Sequence, residues 1–259
     1  MNNLGIAVTF RLSRELFLRN MVARYRNSLL GYLWLIVAPL VLAGAWIFLK
    51  RTGNFQIRES DIPYGPYVVT GVFLWQGFSR QLNGSLAHLS ASRHLFSKYQ
   101  FPWEAIVLAG WAECLVEFAI SMGILIVFLR IIGLGTILTI LSSLPWMASL
   151  LLLGSGIGLL AAPIGLLYED IGQGIGLCLQ LMFFLIPIVY PMPTEGIGLL
   201  VVEWNPVAVL LVNARDTLLT GKISMPVHAI ISSLAAVGIA ILALAFLRLA
   251  RPHIAERVG

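Results

Sequence analysis

From Leu30 to Leu49 the chain carries twenty consecutive residues without a charge, and about 20 apolar residues is what a helix needs to cross the hydrocarbon of a bilayer. Arg24 and Arg26 stand just before this run. Taking a guanidinium into hydrocarbon is costly, so the two arginines should stay at one membrane face and fix the orientation of the rest of the chain. Composition agrees, because 59% of the 259 residues are hydrophobic and only 11% charged, where a soluble domain carries about 25% charged. The expected class is an all-α integral membrane protein with a single domain over 1–259.

Further uncharged runs give the expected order of elements. Residues 4–22 are too charged to span, yet Ile6, Phe10, Phe17 and Met21 share one arc of a 3.6-period helix, which predicts a helix lying in the interface plane. Spans are expected at about 30–49, 62–79, 104–130, 137–167, 171–190 and 226–248. The fourth of these is read as one long span bent near Pro145 or Pro163. Residues 80–100 turn polar, with Leu82, Leu86, Leu89 and Phe96 at helical spacing, so a short amphipathic helix is expected there. The apolar stretches within 196–220 are each too short to cross and read as two re-entrant segments. Asn205-Pro206 is a good helix start and Gly221 a good stop.

With six spans, eleven of the Lys and Arg residues fall on the side of the termini and six on the other, which predicts that both ends are cytoplasmic. The net charge of +5 comes from basic residues scattered between apolar runs. These read as membrane anchors and not as a nucleic-acid stripe. The first long apolar run begins near residue 30 with no cleavage site before it, so no removable leader is expected.

Several chemistries are excluded. The three lysines, Lys50, Lys98 and Lys222, are followed by Arg51, Tyr99 and Ile223, so no phosphate-cradling G-x-x-x-x-G-K-[ST] loop exists and any ATP must act through another chain. Cys114 and Cys178 sit in apolar runs and offer no disulfide framework. His88, His94, His228 and His253 lack metal-ligand spacing. No catalytic residue, metal or cofactor is expected in this chain.

The run Arg24-Tyr25-Arg26-Asn27-Ser28-Leu29-Leu30-Gly31-Tyr32-Leu33-Trp34, followed by Pro39, does more than open a span. Together with the polar helix between spans two and three, Ile186-Pro187-Ile188-Val189-Tyr190-Pro191, and Asn205-Pro206 ahead of Arg215 and Leu218, it resembles the membrane permeases of ABC-2-type polysaccharide exporters. That group moves O-antigen, capsule and teichoic-acid polymers. One departure stands: members often carry Arg-Asp after the fourth span, where this chain has Glu169-Asp170.

The resemblance implies a homodimer in the bacterial inner membrane, joined to two copies of a separate ABC ATPase that holds ATP and Mg. It implies a lipid-linked polysaccharide as substrate and residues 83–98 as a coupling helix, with Leu86, Leu89, Arg93 and Phe96 docking on the ATPase. Arg24 and Arg26 would attract a lipid headgroup at the entrance, and Asn205, Pro206 and Arg215 would form a gate on the periplasmic side. The rivals are an ABC-2 exporter of a small molecule or drug and an integral-membrane sugar or lipid transferase, for which Glu169-Asp170 with His88 is the available chemistry.

Three sets of residues stay open between readings. Tyr64, Tyr67, Trp75 and Phe78 recur along one face of span two, and Tyr32 and Trp46 align on span one. Aromatic faces stack on the C–H faces of sugars and would let a polymer slide, while Trp and Tyr also form belts at any membrane interface. Glu113 and Glu117, four apart on span three, must face protein or water. They either line a channel and couple to protons or pair with arginines such as those of the amino-terminal helix. Arg215 meets a dimer partner or an anionic substrate in one reading and snorkels to the interface in the other.

Overall fold

The structure is a computed structural model that describes residues 3–26, 29–53, 62–91, 102–168 and 170–258. Every regular element among them is helical. In chain order these are α1 (Asn3–Arg26), α2 (Trp34–Arg51, entered through a 3-10 turn at Gly31–Leu33), α3 (Tyr64–Ala91), α4 (Trp103–Ile131) and α5 (Ile137–Gly165), followed by α6 (Asp170–Leu185), α7 (Gly196–Trp204), α8 (Pro206–Thr220) and α9 (Pro226–Val258).

Helices α3 and α5 form the centre. Helix α5 packs against α3, α8 and α9, and α3 also carries α2 and α4. A Cβ on Gly77, Gly84 or Gly110 would meet Phe118, Cys114 or His88 respectively, which sets α3 and α4 antiparallel. One on Gly154 or Gly158 would meet Phe78 or Leu82, which sets α3 and α5 parallel. At Gly158 that methyl would collide with the Leu82 carbonyl oxygen. Without strong hydrophobic drive between helices in lipid, close approach through such small residues is what holds spans together. The end of the bundle where α1 meets α4 is called proximal here, and the end holding α7 and α8 distal.

Four segments among the described residues, Gly31–Arg51, Trp103–Ile131, Ile137–Gly165 and Pro226–Ala250, are long and apolar enough to cross a membrane. The pair α7–α8, bent by 91°, makes a fifth if taken as one unit. Length and apolarity alone therefore do not reach the expected count of six. The shortfall lies in α3, which carries Gln76, Arg80, Gln81 and Asn83, and in the sixteen-residue α6.

Other boundaries differ from expectation for visible reasons. The second span does not stop at residue 79. Helix α3 runs unbroken to Ala91 because Gln81, Gly84 and Ser85 are buried against neighbouring helices, so polar residues here continue the packed face. No separate helix begins at residue 83, and the remainder of the expected coupling helix, including Arg93 and Phe96, lies outside the described residues. Helix α6 ends at Leu185 and not at 190, since Pro187 disfavours helical backbone at Ile186 and cannot donate a hydrogen bond. Helix α1 continues past residue 22 to Arg26, and α9 past 248 to Val258. The fourth span is one helix with Pro145 and Pro163 inside it.

Of the apolar arc expected on α1, Phe10 faces outward and Met21 is buried. Thr9, Ser13 and Met21 are buried, while Phe10 and Val22 are 64% and 65% exposed. Polar and small residues meet α4, and apolar ones look outward, the arrangement a lipid surround favours.

Helix α8 follows its sequence signals closely. Asn205 Oδ1 accepts from the backbone N–H groups of Val207 (3.0 Å) and Ala208 (3.3 Å), Pro206 occupies the first turn, and Gly221 closes the helix at φ 77°. These are the caps that satisfy orphan groups at each end. Between them nearly every side chain is buried, Asn213 and Arg215 included, so α8 is an interior helix of the bundle.

Candidate functional site

Two polar clusters interrupt the apolar bundle, one at each end. At the proximal end Glu113 and Glu117 lie one turn apart on α4, with 1% and 2% of their surface exposed. Asn20 Nδ2 donates to Glu113 Oε1 at 2.8 Å, and Arg24 Nη1 donates to Glu117 Oε1 at 2.6 Å. Asn20 and Arg24 are also one turn apart, so the two helices meet through two polar rungs in register. A buried carboxylate costs several kcal/mol unless it is paired and hydrogen-bonded, and α1 supplies both partners. Glu117 thus pairs with an arginine of the amino-terminal helix and Glu113 with an asparagine of the same helix.

Three residues of α3 extend this cluster. His88 Nε2 lies 3.4 Å from Glu113 Oε2 without an aligned hydrogen bond. Arg80 donates from Nε to the Gln76 carbonyl at 3.3 Å and from Nη2 to Ser121 Oγ at 3.5 Å, and Ser121 Oγ donates to the Glu117 carbonyl at 2.9 Å. Arg24, Glu117, Arg80 and Gln76 face a cavity of about 290 Å³ whose other wall is Trp34, Leu35, Ala38 and Pro39 of α2. Arg26 is exposed and lines a separate surface hollow with Arg19 and Val22. The two entrance arginines therefore differ: Arg24 is already paired, and Arg26 faces outward.

At the distal end Arg215 is 1% exposed. Its Nη1 donates to the Pro187 carbonyl at 2.6 Å, its Nε to Asp216 Oδ1 at 2.9 Å, and its guanidinium stacks 3.7 Å over the Tyr67 ring. Tyr67 Oη in turn donates to the Tyr190 carbonyl at 2.9 Å, and Tyr64 Oη to the Val189 carbonyl at 2.9 Å. Because Pro187 ends α6, residues 186–190 have carbonyls without helical partners, and these side chains satisfy them. Arg215 thus neither snorkels to the interface nor presents a free charge to a second subunit. Its Nε and Nη1 donate to groups inside the fold. Asn205 and Pro206, expected beside it as a gate, act as the cap of α8.

The aromatic residues divide between core and rim. Tyr67 and Trp75 are 5% exposed and Phe78 0%. Trp75 packs against Phe78 and Phe183 with ring centroids 5.5 and 6.1 Å apart. Trp46 reaches Phe183 and Phe184, each at 6.4 Å, Tyr64 lies under Lys50 Nζ at 4.4 Å, and Tyr32 is 40% exposed. The expected aromatic face of span two is real as a stripe, but it points into α6 and the 186–190 segment.

No family model matches the chain. Among curated proteins it is 27% identical over 210 residues to an O-antigen export system permease protein RfbA of Klebsiella pneumoniae, covering 80% of this chain and 79% of that one. It is 24% identical over 197 residues to the RfbA permease of Myxococcus xanthus, covering 74% of each. It is 24% identical over 217 residues to the polysialic acid transport protein KpsM of Escherichia coli, covering 81% of each. The chain is similar to polysaccharide-export permeases. The similarity takes in most of both chains, as the sequence resemblance implied.

In this chain Leu86 and Leu89 are 7% and 0% exposed and pack with Trp103, Ile106 and Leu159. They are core residues of α3, correcting the expectation that they offer an apolar ridge to a partner. Sequence reasoning missed Asn20, Gln76 and Arg80 as members of the proximal cluster. Asn20 was legible in hindsight, since its spacing from Arg24 repeats that of Glu113 from Glu117. His88 has a carboxylate partner in Glu113 that lies too far along the chain to be read from local spacing.

Proposed function

We propose that this chain is the permease subunit of an ATP-driven exporter that moves a lipid-linked polysaccharide across the bacterial inner membrane. The observation that carries the reading is similarity over about four fifths of the chain to permeases named for O-antigen export and polysialic acid transport. In this reading α2, α3, α4, α5, α6 and α9 are the six spans, both termini are cytoplasmic, and the proximal end faces the cytoplasm. Two copies of the chain flank the path, and two ABC ATPase subunits supply the energy that a chain without a phosphate-cradling loop cannot.

Burial within the subunit shapes how the path is drawn. Tyr67, Trp75 and Phe78 serve the fold, so the aromatic groups offered to a passing polymer are Tyr32, in the turn that enters α2, and Trp46 on α2, a helix with only Leu35, Pro39 and Ala43 buried. Arg26 attracts the pyrophosphate of the substrate lipid at the proximal face. Docking to the ATPase uses the segment that follows Ala91, with Arg93 and Phe96, and α3 passes its motion into the bundle.

The test is coexpression of this chain with its ATPase in a strain that makes the polymer and lacks its own exporter. Polymer should reach the cell surface only when both chains are present, and an ATPase that cannot hydrolyse ATP should leave polymer in the cytoplasm. Export by the permease alone, or drug efflux without polymer export, would overturn the proposal.

A further inference from the structure

Glu104, on the first turn of α4, and Arg248, on α9, line one cavity of about 260 Å³ where α1, α4 and α9 meet at the proximal end. The rest of its lining is Thr9, Phe10, Trp103, Val107, Leu108 and Leu244. Neither charge has an ion pair or hydrogen bond among the described residues, and they do not pair with each other. Glu113 and Glu117, by contrast, are both satisfied by α1. Phe10, Leu108 and Leu244 are exposed, so the cavity opens on the side where apolar surface faces the bilayer. A cation and a carboxylate thus stand on an otherwise apolar groove at the boundary where lipid headgroups lie.

We propose that this groove binds a phospholipid with an ethanolamine headgroup, its phosphate on Arg248, its ammonium on Glu104, and an acyl chain along Leu108 and Leu244. The charges on the two sides match in sign and number. A guanidinium pairs with phosphate through parallel N–H donors, and a primary ammonium gives a carboxylate charge-assisted hydrogen bonds. Choline offers the carboxylate no N–H, and glycerol offers it no cation. A volume of 260 Å³ equals roughly nine water volumes at about 30 Å³ each, enough for the eight heavy atoms of phosphoethanolamine. Bound there, the lipid ties the first half of α1 to the bundle as the Asn20 and Arg24 rungs tie the second half. The inference rests on the membrane character of the chain and not on the polymer it moves.

Native mass spectrometry of the full-length protein in detergent, titrated with ethanolamine, choline and glycerol phospholipids of identical chains, tests it. The ethanolamine lipid should be retained about tenfold better than the other two, the size of one charge-assisted contact. Glu104→Gln should bring it down to the choline level, and Arg248→Gln should weaken all three. Leu108→Trp, which fills the groove and keeps both charges in the chain, should abolish the preference while the unfolding midpoint stays put. Equal retention of the three lipids, a preference for the glycerol lipid, or a preference that survives both charge variants would overturn the proposal.

Discussion

Arg24 and Arg215 are both arginines at the end of a membrane bundle, and the structure uses them in opposite ways. Arg215 is enclosed on every side, with donors given to a backbone carbonyl and to the neighbouring Asp216. Arg24 has a side chain 46% exposed, pairs with a carboxylate on another helix and borders a cavity. The first arrangement locks a broken span to an interior helix. The second is a joint between a surface helix and the bundle, where one partner can turn to solvent if the other is lost.

That contrast breaks most sharply at Arg215. Arg215→Leu removes the short bond to the Pro187 carbonyl and the partner of part-buried Asp216 and unstacks Tyr67, and should cost about 2–4 kcal/mol, seen as a lower unfolding midpoint and less protein in the membrane. Normal stability with lost export would instead make Arg215 a group that meets substrate. Glu117→Gln should cost about 1 kcal/mol, because Arg24 can hydrate once unpaired. The same change should raise thiol labelling of Met21→Cys on α1 with the bundle intact. Should labelling stay flat, α1 is held by more than the two rungs. Tyr67→Phe removes one hydroxyl bond and should cost about 0.5–1.5 kcal/mol with export retained, as a packing residue requires; export lost at full stability would return Tyr67 to the path. Arg26→Gln should leave the unfolding midpoint unchanged and slow export alone. A drop in stability there would extend the joint beyond Arg24.

Much of the distal architecture was legible. Asn205, Pro206 and Gly221 bound α8 as their chemistry dictates, and the prolines after Leu185 stop α6. What could not be read was which way polar residues point. Gln81 and Ser85 look like the end of a span in the sequence but are buried in α3, so the helix continues through them. On α1 the apolar arc divides, with Phe10 facing outward and Met21 buried. In water apolarity marks the interior, whereas between lipid-facing helices small and polar residues do so. The pairing of Glu113 with Asn20 joins residues 93 apart, and such a contact leaves no mark in local periodicity.

Helix α3 carries a member of both clusters, Tyr67 near one end and His88 near the other, in 28 residues without a break. At 1.5 Å per residue it is a beam about 42 Å long. Rocking it by about 5° around its middle swings each tip by about 2 Å in opposite senses, so neither end can be reset alone. Whatever pushes on the Ala91 end is felt at the far face as a lever feels a hand.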